Sequence, residues 1–275
     1  MTSISTSTVN PVSSSNHLPP MVKKMNLALV VAHPLSASPS DNVHPISAPV
    51  AKGENKMKKF RGLRKASHFG PTLIVTTIGF LFGTYYWWEG PAYVIAFGIF
   101  CGQLVVGWTN DLYDYQDDVS HNRTKKPLVA GLITPSYLRK WIYFMTPFAF
   151  FANLAGPLGI EGGLVYMLGI ACGLAYNFYF KFTLLSPLPY AIAFAALPSC
   201  IAISKEITTP TWMWLGGALW GMAAHFINVI KDMDQDQQSG INGLPQRLGK
   251  KRSIIAALVL IALGALTLWL NPQGF

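Results

Sequence analysis

Charged side chains are scarce in this sequence. Only 12% of its 275 residues are Asp, Glu, Lys or Arg, about half the share usual in soluble domains, and the mean hydropathy is +0.33. A soluble domain of this length needs more charge to cover its surface. The composition therefore predicts an integral membrane protein that contacts membrane lipid.

Cysteine is also rare, and basic residues form no separate domain. Cys101, Cys172 and Cys200 each lie in an apolar stretch without a partner at metal-ligand spacing, so we expect them to pack as small apolar side chains. The formal net charge is +9, but the lysines and arginines occur in short runs between apolar stretches. Because such runs offer no platform for bases, nucleic acid is not an expected partner.

The N-terminal segment differs in composition from the rest of the chain. Residues 1–65 are rich in Ser, Thr and Pro up to about residue 50 and basic thereafter, and they cannot bury a core. We predict that this segment is disordered and that a transmembrane domain occupies residues 66–275. A secretory signal and an organelle transit peptide are alternative interpretations of the segment.

Seven apolar stretches follow, most of them 18 to 20 residues long, which suffices for a helix to cross the hydrocarbon of a bilayer. They lie near residues 69–88, 91–109, 138–156, 161–180, 186–203, 211–230 and 253–270. The pattern predicts an all-α, multi-span transmembrane helix bundle of about seven spans, with a cap formed by the loops after the second and sixth spans. If the N-terminus is cytoplasmic, every Lys and Arg except Lys205 lies inside or at the inner boundary. This asymmetry predicts a cytoplasmic N-terminus and cap.

Acidic residues are few and clustered at the inner ends of two spans. In the first cluster Asp111, Asp114 and Asp118 are spaced by three and four residues, so a helix places them on one face. In the second cluster Asp232 and Asp236 are four residues apart. Carboxylates beside a membrane core are costly unless they are paired or bind a cation.

Magnesium is the cation that suits these clusters. It prefers oxygen ligands, and it commonly binds through a few carboxylates together with substrate phosphate oxygens. Basic residues also follow both clusters, at Arg123, Lys126 and Arg247 among others. A boundary site with both signs of charge fits magnesium and a polyphosphate. An ion or lipid transporter is the alternative, although transporter sites usually lie near the bilayer midplane.

The two clusters also match a known pair of motifs. Asn110, Asp111, Asp114 and Asp118 fit the pattern NDxxDxxxD, and Asp232, Asp236 and Gly240 fit DxxxDxxxG. The segments 127–131 and 244–249, together with Tyr176 and Lys181, resemble the sequences that accompany these motifs. Over about residues 66–270 the chain resembles the UbiA superfamily of intramembrane prenyltransferases.

The resemblance implies Mg²⁺-dependent transfer of a prenyl group from a prenyl diphosphate to a lipophilic, typically aromatic acceptor, by way of an allylic carbocation. A terpene cyclase of the same superfamily, which needs no acceptor, is the alternative. The family usually has eight or nine spans, one or two more than the seven found here, and the sequence leaves open whether a last helix is missing. The expected metal ligands and catalytic residues are Asp111, Asp114, Asp118, Asp232 and Asp236. The expected substrate-binding residues are Asn110, Arg123, Lys126, Tyr176, Lys181, Asn228 and Arg247.

Overall fold

Helix accounts for all the regular secondary structure in the part of the chain that the computed structural model describes, residues 52–271, with side chains described from residue 55 onward. The all-α class is therefore as predicted. The disorder and the targeting signals expected of residues 1–51 lie outside the described residues. The basic part of that segment differs from the expectation, because Lys52–Ala66 is a helix, α1. Its Lys, Arg, Met and Leu residues are good helix formers.

The helices follow one another through short connections. Their bounds are α1 Lys52–Ala66, α2 Phe69–Tyr86, α3 Glu89–Ser120, α4 Pro135–Leu154, α5 Gly159–Phe178, α6 Leu188–Ile203, α7 Gly217–Gln238, α8 Leu244–Leu248 and α9 Lys250–Leu270. A single 3-10 turn, Phe180–Phe182, lies between α5 and α6, and a π-helical turn, Trp212–Gly216, leads directly into α7.

The long helices pack in chain order from α2 to α7, and α9 packs on α7. Contacts of α2 with α6 and of α3 with α5 draw this series together around a core that includes Ile95, Ile99 and Leu197. Small residues allow the closest approaches. A Cβ atom on Gly221 of α7 would lie 2.4 Å from the carbonyl oxygen of Tyr190 on α6, so only glycine permits this spacing.

Each predicted apolar stretch lies in a helix, but fewer helices meet the length and hydropathy expected of a span. Four do so among the described residues: α3, α5, α9 and the π turn with α7. The α1–α2 pair would be a fifth if it counts as one span broken by a 66° bend. The predicted number of seven is therefore too high by this criterion. Apolar α6 has only 16 residues, and α4 contains Arg139 and Lys140.

Helix α3 is long enough to extend beyond the core of the bundle. It has 32 residues and continues about ten residues past the predicted span. It buries Trp108 near this end, where the indole Nε1 donates to the carbonyl oxygen of Leu63 on α1 at 3.0 Å. The first acidic motif therefore lies on a regular helix that α1 braces from the side, rather than in a loop.

Candidate active site

The first acidic motif occupies the last three turns of α3. Asp111, Asp114 and Asp118 lie on one face of that helix, and the side chains of Asp111 and Asp118 are only 2% exposed. Burying a carboxylate without a partner is costly. The fold meets this cost with basic side chains from two connecting segments, one after α3 and one after α5.

The loop after α3 supplies the partners of the two buried carboxylates. Lys126 Nζ lies 2.8 Å from Asp111 Oδ1 and 3.9 Å from Asp118 Oδ2, and Arg123 Nη1 lies 2.9 Å from Asp118 Oδ1. Burial works against the charge of Lys126, but these carboxylates outweigh it and raise the pKa of Lys126 above its ordinary value. Lys126 is therefore cationic at any working pH, with Asp111 as its closest partner.

The third carboxylate of this face pairs with a residue from the turn after α5. Lys181 is in the 3-10 turn, its residue is 4% exposed, and its Nζ lies 2.5 Å from Asp114 Oδ1. The ammonium also lies 5.4 Å from the ring centroids of Tyr113 and Phe182. The predicted Lys181 thus belongs to the same site as the first motif, although 67 residues separate it from Asp114.

The second acidic motif lies at the C-terminal end of α7. Asp236 accepts a hydrogen bond of 2.9 Å from Gln246 Nε2 of α8 and is half-buried, whereas Asp232 one turn earlier is exposed. Asn228, a further turn back, interacts with the hydroxyl of Tyr190 on α6. These residues occupy one side of α7, as their spacing predicts.

Arg123 joins the two motifs. Its Nη2 atom donates to the carbonyl oxygen of Gln235 at 3.0 Å and also to the hydroxyl of Ser239, while its Nη1 atom holds Asp118. Both Arg123 and Lys181 are close enough to interact with the charge of Asp236. The end of α3 and the end of α7, far apart in sequence, therefore share one set of basic residues, and the loops beyond them form a cap.

Arg247 and Asn110, both predicted to bind substrate, lie outside this set of contacts. Arg247 is exposed, and its Nε donates to the carbonyl oxygen of Asn242 in its own loop at 3.1 Å. Asn110 is half-buried on α3, directly before Asp111. Within residues 55–271, no three His, Cys, Asp or Glu side chains are grouped so that they could hold a metal ion by themselves.

Sequence reasoning missed two polar residues that contact the motif carboxylates. His68 lies at the corner between α1 and α2, where its own left-handed backbone conformation, with φ of 49°, turns the chain. This turn brings His68 Nε2 to 3.3 Å from Asp111 Oδ1. Gln246 binds Asp236. The prediction of Arg247 as a substrate-binding residue pointed to the segment 244–249, but nothing in the sequence distinguishes Gln246 within it. No local signal points to His68, since its contact arises only from the packing of α1 and α2 on α3.

An aromatic cluster lies next to both motifs. The ring of His225 on α7 lies 5.4 Å from that of Tyr176 and 4.8 Å from that of Tyr190, and the two tyrosine rings are 5.1 Å apart. Tyr176 is close enough to interact with the charges of Asp114 and Asp236. The predicted Tyr176 is thus at the site, together with two aromatic residues that sequence reasoning did not select.

Ser186 ties this cluster to the cap. Its Oγ lies 3.1 Å from His225 Nε2 and accepts a hydrogen bond of 3.0 Å from the backbone N–H of Leu244, at the start of α8. The residue is 1% exposed. One hydroxyl therefore connects the segment before α6 with α7 and with α8, the helix that carries Gln246.

We expect Ser186→Ala to destabilise the protein by about 1–3 kcal/mol, since it leaves the buried ring of His225 and the half-buried N–H of Leu244 without this partner. Thermal unfolding of the detergent-solubilised protein measures the loss. Ser136→Ala is the matched control, because Ser136 is exposed and its hydroxyl bonds to Thr134 two residues away. Equal melting temperatures for the two variants would contradict the role given to Ser186.

Comparison with known proteins agrees with this architecture. The sequence model of the UbiA prenyltransferase family matches residues 72–275. A search of curated proteins finds no significant match.

Solved structures share the fold at low sequence identity. A UbiA homologue from Archaeoglobus fulgidus, bound to GPP and Mg²⁺, is 15% identical with a TM-score of 0.62, over 78% of this chain and 76% of that one. A UbiA homologue from Aeropyrum pernix K1 is 20% identical with a TM-score of 0.57, over 77% of each chain. A structure of digeranylgeranylglyceryl phosphate synthase is 18% identical with a TM-score of 0.57, over 77% of this chain and 76% of that one.

Proposed function

Because the chain belongs to the UbiA prenyltransferase family, we propose that it transfers the prenyl group of a prenyl diphosphate to a lipophilic, aromatic acceptor within the membrane. The observation that carries this proposal is that Arg123 joins the two aspartate motifs, because it binds Asp118 of the first motif and the carbonyl oxygen of Gln235 beside Asp236 of the second. The homologue from Archaeoglobus fulgidus has been solved with GPP and with DMAPP, each together with Mg²⁺, which supports a donor of this class.

The basic residues of the site are suited to a diphosphate. Arg123, Lys126 and Lys181 come from two different connections and surround the carboxylates of α3. The planar guanidinium of Arg123 offers paired donors to phosphate oxygens, whereas the ammonium groups of the two lysines act as point charges. Bound diphosphate would take these donors from the aspartates. The roles of Asn110, Asn228 and Arg247 in binding substrate stay predictions from the motif.

The acidic residues fit magnesium on their donor chemistry. The site offers carboxylate oxygens from two helices, α3 and α7, and no three such groups in the described part of the chain could hold a metal ion without further ligands. Magnesium commonly keeps several waters and binds through one or two carboxylates plus substrate phosphates, which matches such an open arrangement. Asp111, Asp114 and Asp118 would hold it on one side, with Asp232 and Asp236 on the other. When bound, it would neutralise charge on the departing diphosphate.

The chain's own residues then support the bond changes. The allylic C–O bond breaks and its electron pair leaves with the diphosphate, whose negative charge Arg123, Lys126 and Lys181 stabilise. The aromatic acceptor attacks the resulting carbocation with a ring electron pair, forms the new C–C bond and then loses a proton. Tyr176, together with Tyr190, offers ring faces that attract the cation and exclude water.

The proposed site faces the cytoplasm. In the structure α1, the loop after α3, the turn after α5 and the loop after α7 lie at one end of the bundle, joined by the contacts of Arg123, Lys181 and His68. These segments carry most of the 21 lysines and arginines of the chain. Such an excess of positive charge marks the cytoplasmic side of membrane proteins.

Release of diphosphate by the purified protein tests the proposal. We expect release when Mg²⁺, a C10, C15 or C20 prenyl diphosphate and an aromatic acceptor are supplied together, and none when EDTA removes the metal. Release that needs no acceptor and yields a cyclic product would favour the terpene cyclase. No release by folded protein under any of these conditions would overturn the enzyme and leave transport as the remaining function.

A further inference from the structure

Helix α1 carries a strongly basic sequence directly before the membrane domain. Residues 52–65 contain seven lysines and arginines and one acidic residue, Glu54. The helix is not a free arm, because Gly62, Leu63 and Ala66 pack against the rest of the domain. The basic surface is therefore held in a fixed place beside the cap.

Helix α1 runs in a direction very different from that of α2, the helix that follows it. The axis of the helix over Asn55–Ala66 turns by 66° from that of α2. The corner between them is fixed, since Thr72 Oγ1 donates to the carbonyl oxygen of Ser67 at 2.8 Å. A Cβ atom on Gly107 of α3 would lie only 2.8 Å from that same carbonyl oxygen. If α2 runs close to the bilayer normal, α1 lies closer to the membrane plane than to the normal.

The outward side of α1 combines apolar and cationic side chains. Met57 and Phe60 are 70% and 64% exposed, and Arg61 and Arg64 are exposed on the same helical face, at positions i+4 and i+7 from Met57. Lys56, Lys58 and Lys65 are exposed around them. Helices that lie in the membrane interface combine a few large apolar residues with Lys and Arg in this way.

We propose that α1 docks its exposed face on anionic lipid headgroups of the membrane surface, with Met57 and Phe60 inserted between the lipids. Charge complementarity favours this partner over the rest of the chain. Residues 1–51 contain a single acidic residue, Asp41, and seven of the 12 acidic residues lie in the two motif patches. The N-terminal segment thus offers no matching acidic surface, and in a second copy most carboxylates belong to the two motifs proposed to hold the metal. The position of α1 directly before the apolar α2 favours lipid over nucleic acid.

Depth-dependent fluorescence quenching tests the docking in the full chain. The protein is placed in nanodiscs of phosphatidylcholine, with or without phosphatidylglycerol, and carries one bimane label at Phe60→Cys. Gln238→Cys supplies the control label, because Gln238 is exposed at the same end of the bundle on α7. The native cysteines are first replaced by alanine: Cys101, Cys172 and Cys200. Circular dichroism checks that each labelled protein is folded.

With phosphatidylglycerol present, we expect quenching of the Phe60→Cys label by doxyl lipids and protection from aqueous iodide. Replacing Lys56, Lys58, Arg61 and Lys65 together by Gln should cut the doxyl quenching by at least about half, because each basic residue near an anionic surface adds to binding. The Gln238→Cys label should not respond to either change. Equal iodide quenching at position 60 in both lipid mixtures would overturn the proposal. So would a label that responds to added RNA but not to anionic lipid.

Discussion

Replacing Asp236 by Asn is expected to lower the rate of diphosphate release by about 100- to 1,000-fold, the scale of losing one preorganised group that stabilises a developing anion, because Asp236 is proposed to help hold the Mg²⁺ that would do so. The change keeps the size of the side chain and removes one negative charge from the side of α7 that is proposed to hold the metal. The rate is measured as steady-state release of diphosphate from C10, C15 and C20 prenyl diphosphates at saturating Mg²⁺. Asp236 accepts a hydrogen bond from Gln246. The amide oxygen of an Asn at this position can accept the same bond, so the fold should tolerate the change.

Asp234→Asn is the matched control for this experiment. It makes the same chemical change on the same helix two residues earlier, at an exposed carboxylate outside the DxxxD spacing. We expect Asp234→Asn to retain nearly full activity and Asp236→Asn to require more Mg²⁺ for its residual rate. If the two variants lose activity equally, the acidic end of α7 acts only through its overall charge, and the assignment of Asp236 as a ligand is wrong.

Replacing Lys181 by Met is expected to affect both stability and substrate binding. Lys181 is nearly buried against Asp114, so its loss leaves a largely buried carboxylate without its cation. Breaking a buried pair costs about 3–5 kcal/mol, and we expect about 2–3 kcal/mol here, because Asp114 retains 20% side-chain exposure. Thermal unfolding measures the first effect. Steady-state kinetics measure the effect on substrate binding, for which we expect the KM for the prenyl diphosphate to rise about tenfold or more.

A double variant separates these two effects. Adding Asp114→Asn to Lys181→Met removes the uncompensated charge and should restore most of the lost stability. It should not restore the KM, because the ammonium proposed to bind phosphate is still absent. Asp114→Asn alone measures how much of the remaining KM effect comes from losing a proposed metal ligand. Lys125→Met, at an exposed lysine in the loop after α3, controls for the loss of one positive charge at this end. Full recovery of the KM in the double variant would show that Lys181 serves the fold and not the substrate.

The helix faces of the site followed from the sequence because they depend on local periodicity. Spacings of three and four residues place Asp111, Asp114 and Asp118 together on any regular helix, and α3 continues without a break through all of them. The number of spans was harder to predict. Apolar runs indicate helices, but they do not fix where a helix begins and ends, so they do not reveal that α6 has only 16 residues.

The partners of the carboxylates could not be predicted in the same way. Arg123 reaches Ser239 across 116 residues and Lys181 reaches Asp114 across 67, so each contact depends on how whole helices pack. His68 meets Asp111 only because α1 turns sharply into α2. The sequence alone shows the apolar runs and the spacing of the aspartates along each helix. These local patterns determined the membrane class, the all-α fold and the two acidic faces. Which residues neutralise those faces was decided by the tertiary structure alone, because no local pattern encodes the distance between side chains on separate helices.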